Sequence, residues 1–408
     1  MQTWPRPDVP ELPVGLGGPV QLWDPRSGRL EFASPTDREA RLYVCGITPY
    51  DATHLGHANT YVAFDTLHRT WLDAGVKVTY AQNVTDVDDP LLERAIATGV
   101  DWRALAEDQT DLFREDMTAL RVLPPDAWLG VVESLPTIAQ LVQDLQAAGV
   151  AYTVDDGTGD IYVEDHKIAG FGEQSGLTRE EQLTLFAERG GDPARAGKHD
   201  PLDQLVWRGR REGEPSWESP VGEGRPGWHV ECAAIARTHL GEQYDVVGGG
   251  SDLAFPHHEM SVALASALHP EVPAPHPVHA GMVGLDGEKM SKSKGNLVLV
   301  SQLRRDDVDS MAIRLTLLAH HYREDWSFEA AQLDVASDRL ERYRQACARA
   351  AGAPAEFTIG LVREALRRDL DTPVALAALD AWVHKEGDDV DAPGQIASLL
   401  DALLGITL

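Results

Sequence analysis

Along the first third of the chain, short unbroken apolar runs alternate with longer amphipathic stretches. Residues 41–46, RLYVCG, read as a short buried strand. The turn ITPYD follows, and a helix is expected from about Thr53 to Asp73, with Thr53 suited to its N-cap. VKVTYAQNV, residues 76–84, is the next strand. Strand, helix and strand in that order predict a βαβ unit and so a parallel sheet. Residues 90–121 and 134–149 are helical in pattern. Between about 150 and 200, short β-like pieces (AYTVDD, DIYVED) sit among Gly, Asp and Pro, as in an inserted subdomain. The alternation then resumes. QLVW is strand-like, WHVECAAIARTHL helical, QYDVVGG a strand ending in glycines, HHEMSVALASAL helical and VHAGMVGL a strand. From about 301 onward, long amphipathic helical stretches dominate. The expected fold is α/β. Residues 1–125 and 201–300 form the two halves of a parallel-sheet domain, 126–200 an inserted connective subdomain, and 301–408 a helical bundle. Residues 1–18, rich in Pro and Gly, are expected to wrap over a surface.

Composition narrows the class. The 408 residues suggest two or three domains at roughly 150 residues each. Hydrophobic residues at 43% and charged residues at 25% exclude a disordered or collagen-like chain. Lysine plus arginine number 36 against 65 aspartates and glutamates, a formal net charge of −29, which disfavours a general nucleic-acid binder unless a local basic groove overrides the field. Three cysteines, Cys45, Cys232 and Cys347, are too few and too odd in number for a disulfide framework. The start, MQTWPRPDVPELPVG, lacks a basic segment followed by an apolar run, and no apolar stretch approaches 18 residues, so neither a secretory signal nor a membrane span is expected. The expected compartment is the reducing cytoplasm.

Two motifs carry phosphate chemistry. His54-Leu55-Gly56-His57 lies just inside a helix start, where residues three apart share a face and backbone N–H groups and the dipole favour an anion. Taken alone, this spacing also describes two helix-surface histidines. Lys289-Met290-Ser291-Lys292-Ser293-Lys294-Gly295-Asn296 is a Gly/Ser-rich loop whose lysines can clamp a triphosphate, or can be a solvated basic loop. Together, on a βαβ framework, HLGH and KMSKS resemble the signature pair of class I aminoacyl-tRNA synthetases. The resemblance implies a Rossmann-like catalytic domain of that type, with His54, His57, Lys289 and Lys292 catalytic and ATP as substrate, accompanied by Mg²⁺.

Cys45, Cys232 and His257 are spaced like no local zinc finger, and from spacing alone they read as buried core residues. Their surroundings, YVCG, GWHVEC and FPHHE, resemble the cysteine-specific branch of these synthetases. That branch holds zinc with these three positions, so one Zn²⁺ per chain is implied. Thiolate is a soft ligand and hydroxyl a poor one, so a zinc with an open position selects cysteine over serine. The same resemblance places Cys45, Gly46, Ile47, Thr48, Thr60, Asn83, Val84, Thr85, Trp228, Gly250, Ser251, Asp252 and Val283 at the substrate and adenylate. The run Gly248-Gly249-Gly250 is otherwise an ordinary loop, Trp228 a core residue, and Asp88 and Asp89 helix caps.

Three features depart from cysteine–tRNA ligases. The opening block reads CGITPYDATHLGHA, where those enzymes usually have CGPTVYDYAHIGHA. Ser261 stands where they commonly carry a fourth ligand, glutamate, and little chain follows the KMSKS loop for an anticodon-reading appendage. All three, with the segment Glu188-Arg189-Gly190-Gly191-Asp192-Pro193, resemble the mycothiol-pathway cysteine ligases. That resemblance implies ligation of L-cysteine to the amine of glucosaminyl-inositol through a cysteinyl adenylate, in a monomer without tRNA or membrane partners. A compact cysteine–tRNA ligase and a non-catalytic zinc-stapled module are the alternatives. The first predicts a basic groove on the C-terminal helices, and the second has no need of intact HLGH and KMSKS loops.

Overall fold

The computed structural model describes residues 1–12, 15–33, 39–50, 53–290 and 295–408, the Lys289 side chain excepted. In chain order, β1 (Gln21–Asp24) and β2 (Arg29–Phe32) form a hairpin, and β3 (Glu39–Val44), α1 (Leu55–Asp73) and β4 (Lys77–Val84) form the βαβ unit. Next come α2 (Asp89–Thr98), α3 (Trp102–Ala119), β5 (Ala127–Gly130) and α4 (Val131–Ala147). β6 (Ala151–Thr153), β7 (Ile161–Val163), α5 (Arg179–Glu188), β8 (Gln204–Gly209) and β9 (Gly224–Pro226) carry an antiparallel layer. The α/β alternation returns with α6 (Trp228–Leu240), β10 (Val246–Gly250), α7 (Glu259–Leu268) and β11 (His276–Ala280). β12 (Val283–Leu285), β13 (Glu288–Lys289), α8 (Val300–Arg305), α9 (Ser310–Leu318) and β14 (Trp326–Phe328) follow. The chain closes with α10 (Ala331–Cys347), α11 (Glu356–Arg367), α12 (Thr372–Val383) and α13 (Ala392–Leu404).

The main sheet has the order β11-β10-β3-β4-β5 and is parallel throughout, which is the expected α/β class. The chain leaves β3 toward β4 and β5 and returns on its other side as β10. Between β3 and β10 the strand order reverses, and a crevice opens beyond their carboxyl ends. Strand alternation divides the core. Leu42 and Val44 face α1, whose Phe64, Leu67 and Trp71 join a cluster that continues into α9 and the helices after it through Ile313, Leu366 and Leu400. Tyr43 and Cys45 face the other way, toward Cys232, Ile235 and Ala236 of α6. Leu42, Tyr43 and Val44 of β3 and Val246 and Val247 of β10 are buried in succession because both faces of the sheet are covered, which is why these stretches read as unbroken runs.

A buried ionic clasp joins the two halves of the core. Asp65 of α1 accepts from Arg69 Nε at 2.7 Å, from the Leu123 N–H at 2.8 Å and from Arg314 of α9. Arg314 also donates to the carbonyls of Leu404 and Leu120, at 2.6 Å each. The two guanidiniums hold the Asp65 carboxyl down to about 2, against the upward pull of burial.

Several expected elements differ. Helix 90–121 is two helices: Gly99 ends α2 in the left-handed region at φ 69°, and the Asp101 carboxylate caps α3. VHAGMVGL is two strands in different sheets, because the chain turns at Gly281. There a Cβ would meet the Glu324 carbonyl oxygen at 2.1 Å. Thr53 is not the N-cap of α1; His54 is. Residues 127–130 pair with β4 in the parallel sheet, and the antiparallel layer extends to Pro226. The described residues of the N-terminal segment are exposed or half-buried, as a surface wrap would be, except Trp4, which anchors it: Trp4 is buried edge-on against Phe113 and Trp128, and its indole donates to the Val122 carbonyl at 2.7 Å.

Candidate active site

A cleft of about 520 Å³ opens where β3, β4 and β10 end. Its floor is a narrow cross-linked seam. Cys45 follows β3 directly, and its N–H donates to the Gly248 carbonyl at 2.8 Å. Gly46 lies so close to β4 that a Cβ would fall 1.6 Å from the Asn83 carbonyl oxygen, so only glycine fits. Asn83 Oδ1 accepts from Gly46 N–H at 2.8 Å and Tyr43 Oη at 3.1 Å, while its Nδ2 donates to Thr85 Oγ1 at 3.1 Å. These bonds fix the strand ends on which the cleft residues ride.

At the foot of the cleft, three ligand-type side chains converge. Cys45 Sγ lies 3.9 Å from Cys232 Sγ, and Cys232 Sγ lies 3.2 Å from His257 Nε2. Cys45 rides on β3, Cys232 on α6 and His257 in a π-type turn at 254–258 that precedes α7. Four-coordinate zinc, with bonds of about 2.3 Å to sulfur and 2.0–2.1 Å to nitrogen, sets donor separations of about 3.8 Å and 3.6 Å. The donor set and its spacing fit such an ion. Burial, then the neighbouring His229 and His258, push the His257 imidazole well below its usual range, so an ion held here would meet a neutral imidazole. Burial, then Cys232, pushes the Cys45 thiol well up, so a thiolate there calls for a compensating cation. His257 Nδ1 lies 3.0 Å from His229 Nδ1, and the Trp228 ring covers His257 at 4.3 Å. Cys45 Sγ also lies 3.3 Å from His258 Nε2, whose Nδ1 is 2.9 Å from His279 Nε2. Ser261 is buried, and its hydroxyl bonds the carbonyls of His257 (2.6 Å) and His229 (3.1 Å), so it braces the π-type turn.

His54 and His57 form the side wall, their rings stacked at 3.8 Å. His54 Nδ1 accepts from the N–H groups of Gly56 (3.1 Å) and His57 (3.4 Å), capping α1 with an imidazole. An accepting Nδ1 in a neutral ring fixes the tautomer: the proton sits on Nε2. The helix start is tied to the segment after residue 294. Leu55 N–H donates to the Val298 carbonyl at 2.9 Å, and Val300 N–H to the Thr53 carbonyl at 3.0 Å.

Of the other residues expected at the site, Ile47, Thr48, Thr60, Thr85, Gly250 and Asp252 line the cleft. Ser251 lies in the following 3₁₀ turn without lining it. Val84 and Val283 do not line it either; both are buried in the core beneath, where their apolar side chains belong. Lys289 pairs its backbone with Gly284 in β13, while its side chain and all of Lys292 lie outside the described residues. The cleft also includes Met290 of the KMSKS motif, together with Tyr50, Tyr61, Leu253, Met282 and Leu297, which the sequence reading did not single out. Tyr61 is one helical turn beyond His57 on the same face, a signal open to inspection. Asp88 caps α2 through the Asp89 N–H at 2.8 Å, and Asp89 bonds Arg225 at 2.5 Å, so both are structural.

Comparison with known proteins agrees with this geometry. A family model described as the class I (C) tRNA synthetase catalytic domain matches residues 31–338. The chain is 56% identical to the L-cysteine:1D-myo-inositol 2-amino-2-deoxy-alpha-D-glucopyranoside ligase of Catenulispora acidiphila, over 100% of both chains. The ligases of the same name from Thermomonospora curvata and Streptomyces coelicolor are also 56% identical, again over 100% of both chains. Among solved structures, Mycobacterium tuberculosis methionyl-tRNA synthetase in complex with methionyl-adenylate superposes with a TM-score of 0.63 at 17% identity, covering 90% of this chain and 89% of that one. The LeuRS of Agrobacterium radiobacter K84, in ternary complex with tRNA and LeuAMS, gives 0.62 at 14% identity, covering 91% and 84%. No helix among the described residues is long and apolar enough to cross a membrane. A parallel sheet with its cleft at the switch point, and end-to-end identity above one half, lead to one conclusion: the chain belongs to the L-cysteine:1D-myo-inositol 2-amino-2-deoxy-alpha-D-glucopyranoside ligases, within the class I (C) tRNA synthetase family.

Proposed function

We propose that the protein joins the carboxyl group of L-cysteine to the amine of 1D-myo-inositol 2-amino-2-deoxy-alpha-D-glucopyranoside (glucosaminyl-inositol), a step of mycothiol biosynthesis. As a member of this family it is an ATP-dependent, amide-forming ligase. The observation that carries the acceptor assignment is full-length identity to curated ligases of that name, in a chain whose cleft ends in two thiols and an imidazole.

The chemistry runs in two displacements. A carboxylate oxygen of cysteine attacks the α-phosphorus of ATP, and pyrophosphate leaves. The neutral sugar amine then attacks the acyl carbon, AMP leaves, and the nitrogen gives up a proton. In this reading the Nε2–H of His54, with His57, Lys289 and Lys292, holds the phosphate oxygens as charge develops. Gly46, Ile47, Thr48, Thr60, Asn83, Thr85, Gly250 and Asp252 shape the adenylate subsite, with Ser251 in the turn that positions Asp252 and Val84 and Val283 supporting it from below. Cys45, Cys232 and His257 would hold Zn²⁺, and Trp228 would wall the cysteine pocket. When bound there, zinc supplies a soft centre that prefers thiolate to hydroxyl.

The C-terminal helices support an acceptor other than tRNA. Four of their arginines are held by the protein's own groups: Arg339 by Asp380, Arg344 by Asp309, Arg363 by Asp73 and Arg349 by the Val383 carbonyl. A monomer in the cytoplasm completes the proposal. For the layout, we place the insert at 151–226, later than composition suggested, because 127–130 joins the parallel sheet.

The test offers ATP and cysteine with either the aminosugar or tRNA. AMP release is expected to require the aminosugar. Cysteine appearing on tRNA at a comparable rate would remove the acceptor assignment.

A further inference from the structure

A second group of ligand-type side chains lies on the antiparallel layer, and none of its members lines the cleft. His166 sits in the 3₁₀ turn that follows β7, and Asp200 and Asp203 sit in the turn that leads into β8. One ligand atom from each lies within 4.8 Å of the other two.

Asp203 makes this group unusual. Its side chain is 0% exposed. Oδ2 is satisfied by Tyr152 Oη at 2.6 Å and the Asp200 N–H at 2.9 Å. Oδ1 is buried without a hydrogen-bond partner among the described residues. The nearest imidazole nitrogen, His166 Nδ1, stands 3.6 Å away, too far for a hydrogen bond. A buried carboxylate oxygen without a partner is costly, and native structures rarely leave one. The gap has a natural filling. Nitrogen and oxygen donors each about 2.1 Å from one ion lie about 3.4 Å apart in tetrahedral geometry. Burial pushes the carboxyl of the fully buried Asp165 beside this group well above the usual range, with Asp203 adding to the effect and Lys198 opposing it. Asp200 already holds Arg179 at 2.6 Å, but that guanidinium is half exposed and does not reach the orphaned oxygen.

We propose that His166, Asp200 and Asp203 form a second divalent-cation site, with one nitrogen and two oxygen donors and water in the remaining positions. Imidazole and carboxylate donors without a thiolate suit Zn²⁺ or Mn²⁺. The site ties the turn after β7 to the turn before β8. The second turn holds the ERGGDP segment. Lys198 Nζ bonds the Asp192 carboxylate at 2.8 Å and the Pro201 carbonyl at 2.9 Å. Arg189, in the same segment, donates to the carbonyls of Asp252, at 2.5 Å, and Phe255, at the edge of the cleft. The ion therefore supports a segment that reaches the cleft rim, from a position that touches no substrate.

Zinc stoichiometry on the full chain tests this. The protein is stripped with chelator, dialysed against buffered Zn²⁺ and assayed for metal. Two equivalents are expected on the wild type, one on Cys232→Ser, one on His166→Gln and none on the double variant. His166 is one-third exposed, so its replacement leaves the fold intact, and Asp200→Asn is expected to lose the same equivalent. Added Zn²⁺ raises the thermal midpoint of Cys232→Ser and leaves that of the double variant unchanged. Zinc retained by the double variant, or none bound by Cys232→Ser, overturns the proposal and leaves His166 and Asp203 as neighbours without an ion.

Discussion

His54 does two jobs through two ring nitrogens, and substitutions can separate them. Nδ1 caps α1, while Nε2 carries the proton proposed to face phosphate. Asparagine is a good N-cap but does not reproduce the imidazole donor. His54→Asn is therefore expected to keep near-wild-type stability and to lose about 10²–10³ in pyrophosphate–ATP exchange. His54→Ala should lose the same activity and a further ~1 kcal/mol of stability. Undiminished exchange in the asparagine variant would remove His54 from the chemistry. The motif was legible in the sequence, but this division of labour was not, because Thr53 also has a capping side chain and one-dimensional spacing does not rank the two. The thiols show the same limit. Cys45 and Cys232 are 187 residues apart, and only the packing of α6 against β3 brings their sulfurs to 3.9 Å.

Among elements, α3 and α8 meet through Asp116 and Arg304, at 2.7 Å. Burial outweighs this ion pair and pushes the Asp116 carboxyl up to about 6, although Arg304 pulls it down. A carboxyl whose folded value exceeds its unfolded value, about 3.9, favours the folded state most when protonated. Its contribution is complete below about pH 4 and is lost as pH rises through 6. Two units correspond to about 3 kcal/mol at most. The wild type should therefore lose stability relative to Asp116→Asn between pH 4 and 7, as read by urea unfolding at each pH. A difference that stays flat across that range would show that Asp116 does not titrate there. Element boundaries were partly readable. Gly99 and Asp101 are an end signal and a start signal back to back, which divide the long helix. β5 and α5 escaped the reading for different reasons: β5 has four residues, too few for a period, and α5 sits in a stretch where glycines and prolines mask its capping box.

For the whole molecule, the clasp of Asp65, Arg69 and Arg314 decides how firmly the C-terminal helices are held. Removing one partner of a buried ion pair strands the other. Arg314→Met is expected to cost about 3 kcal/mol in urea unfolding, because Arg69 remains to satisfy Asp65. A loss below about 1 kcal/mol would mean that apolar packing alone holds these helices. The fold class was visible from alternation because a doubly covered sheet imposes it. The clasp was not, since Arg314 lies in a stretch, MAIRLTLL, that reads as an ordinary amphipathic helix. The order of strands in the main sheet also has a consequence for synthesis. β3, β4 and β5 leave the ribosome first, and β10, which flanks β3, comes far later. At about 5–20 residues per second, the 187 residues from Cys45 to Cys232 take about 10–40 s to emerge. Throughout that interval β3 is an open edge of a half-built sheet, exposed to pairing with other nascent chains. Cys45 waits beside it as a lone thiol, and the seam closes only when the second half of the chain arrives.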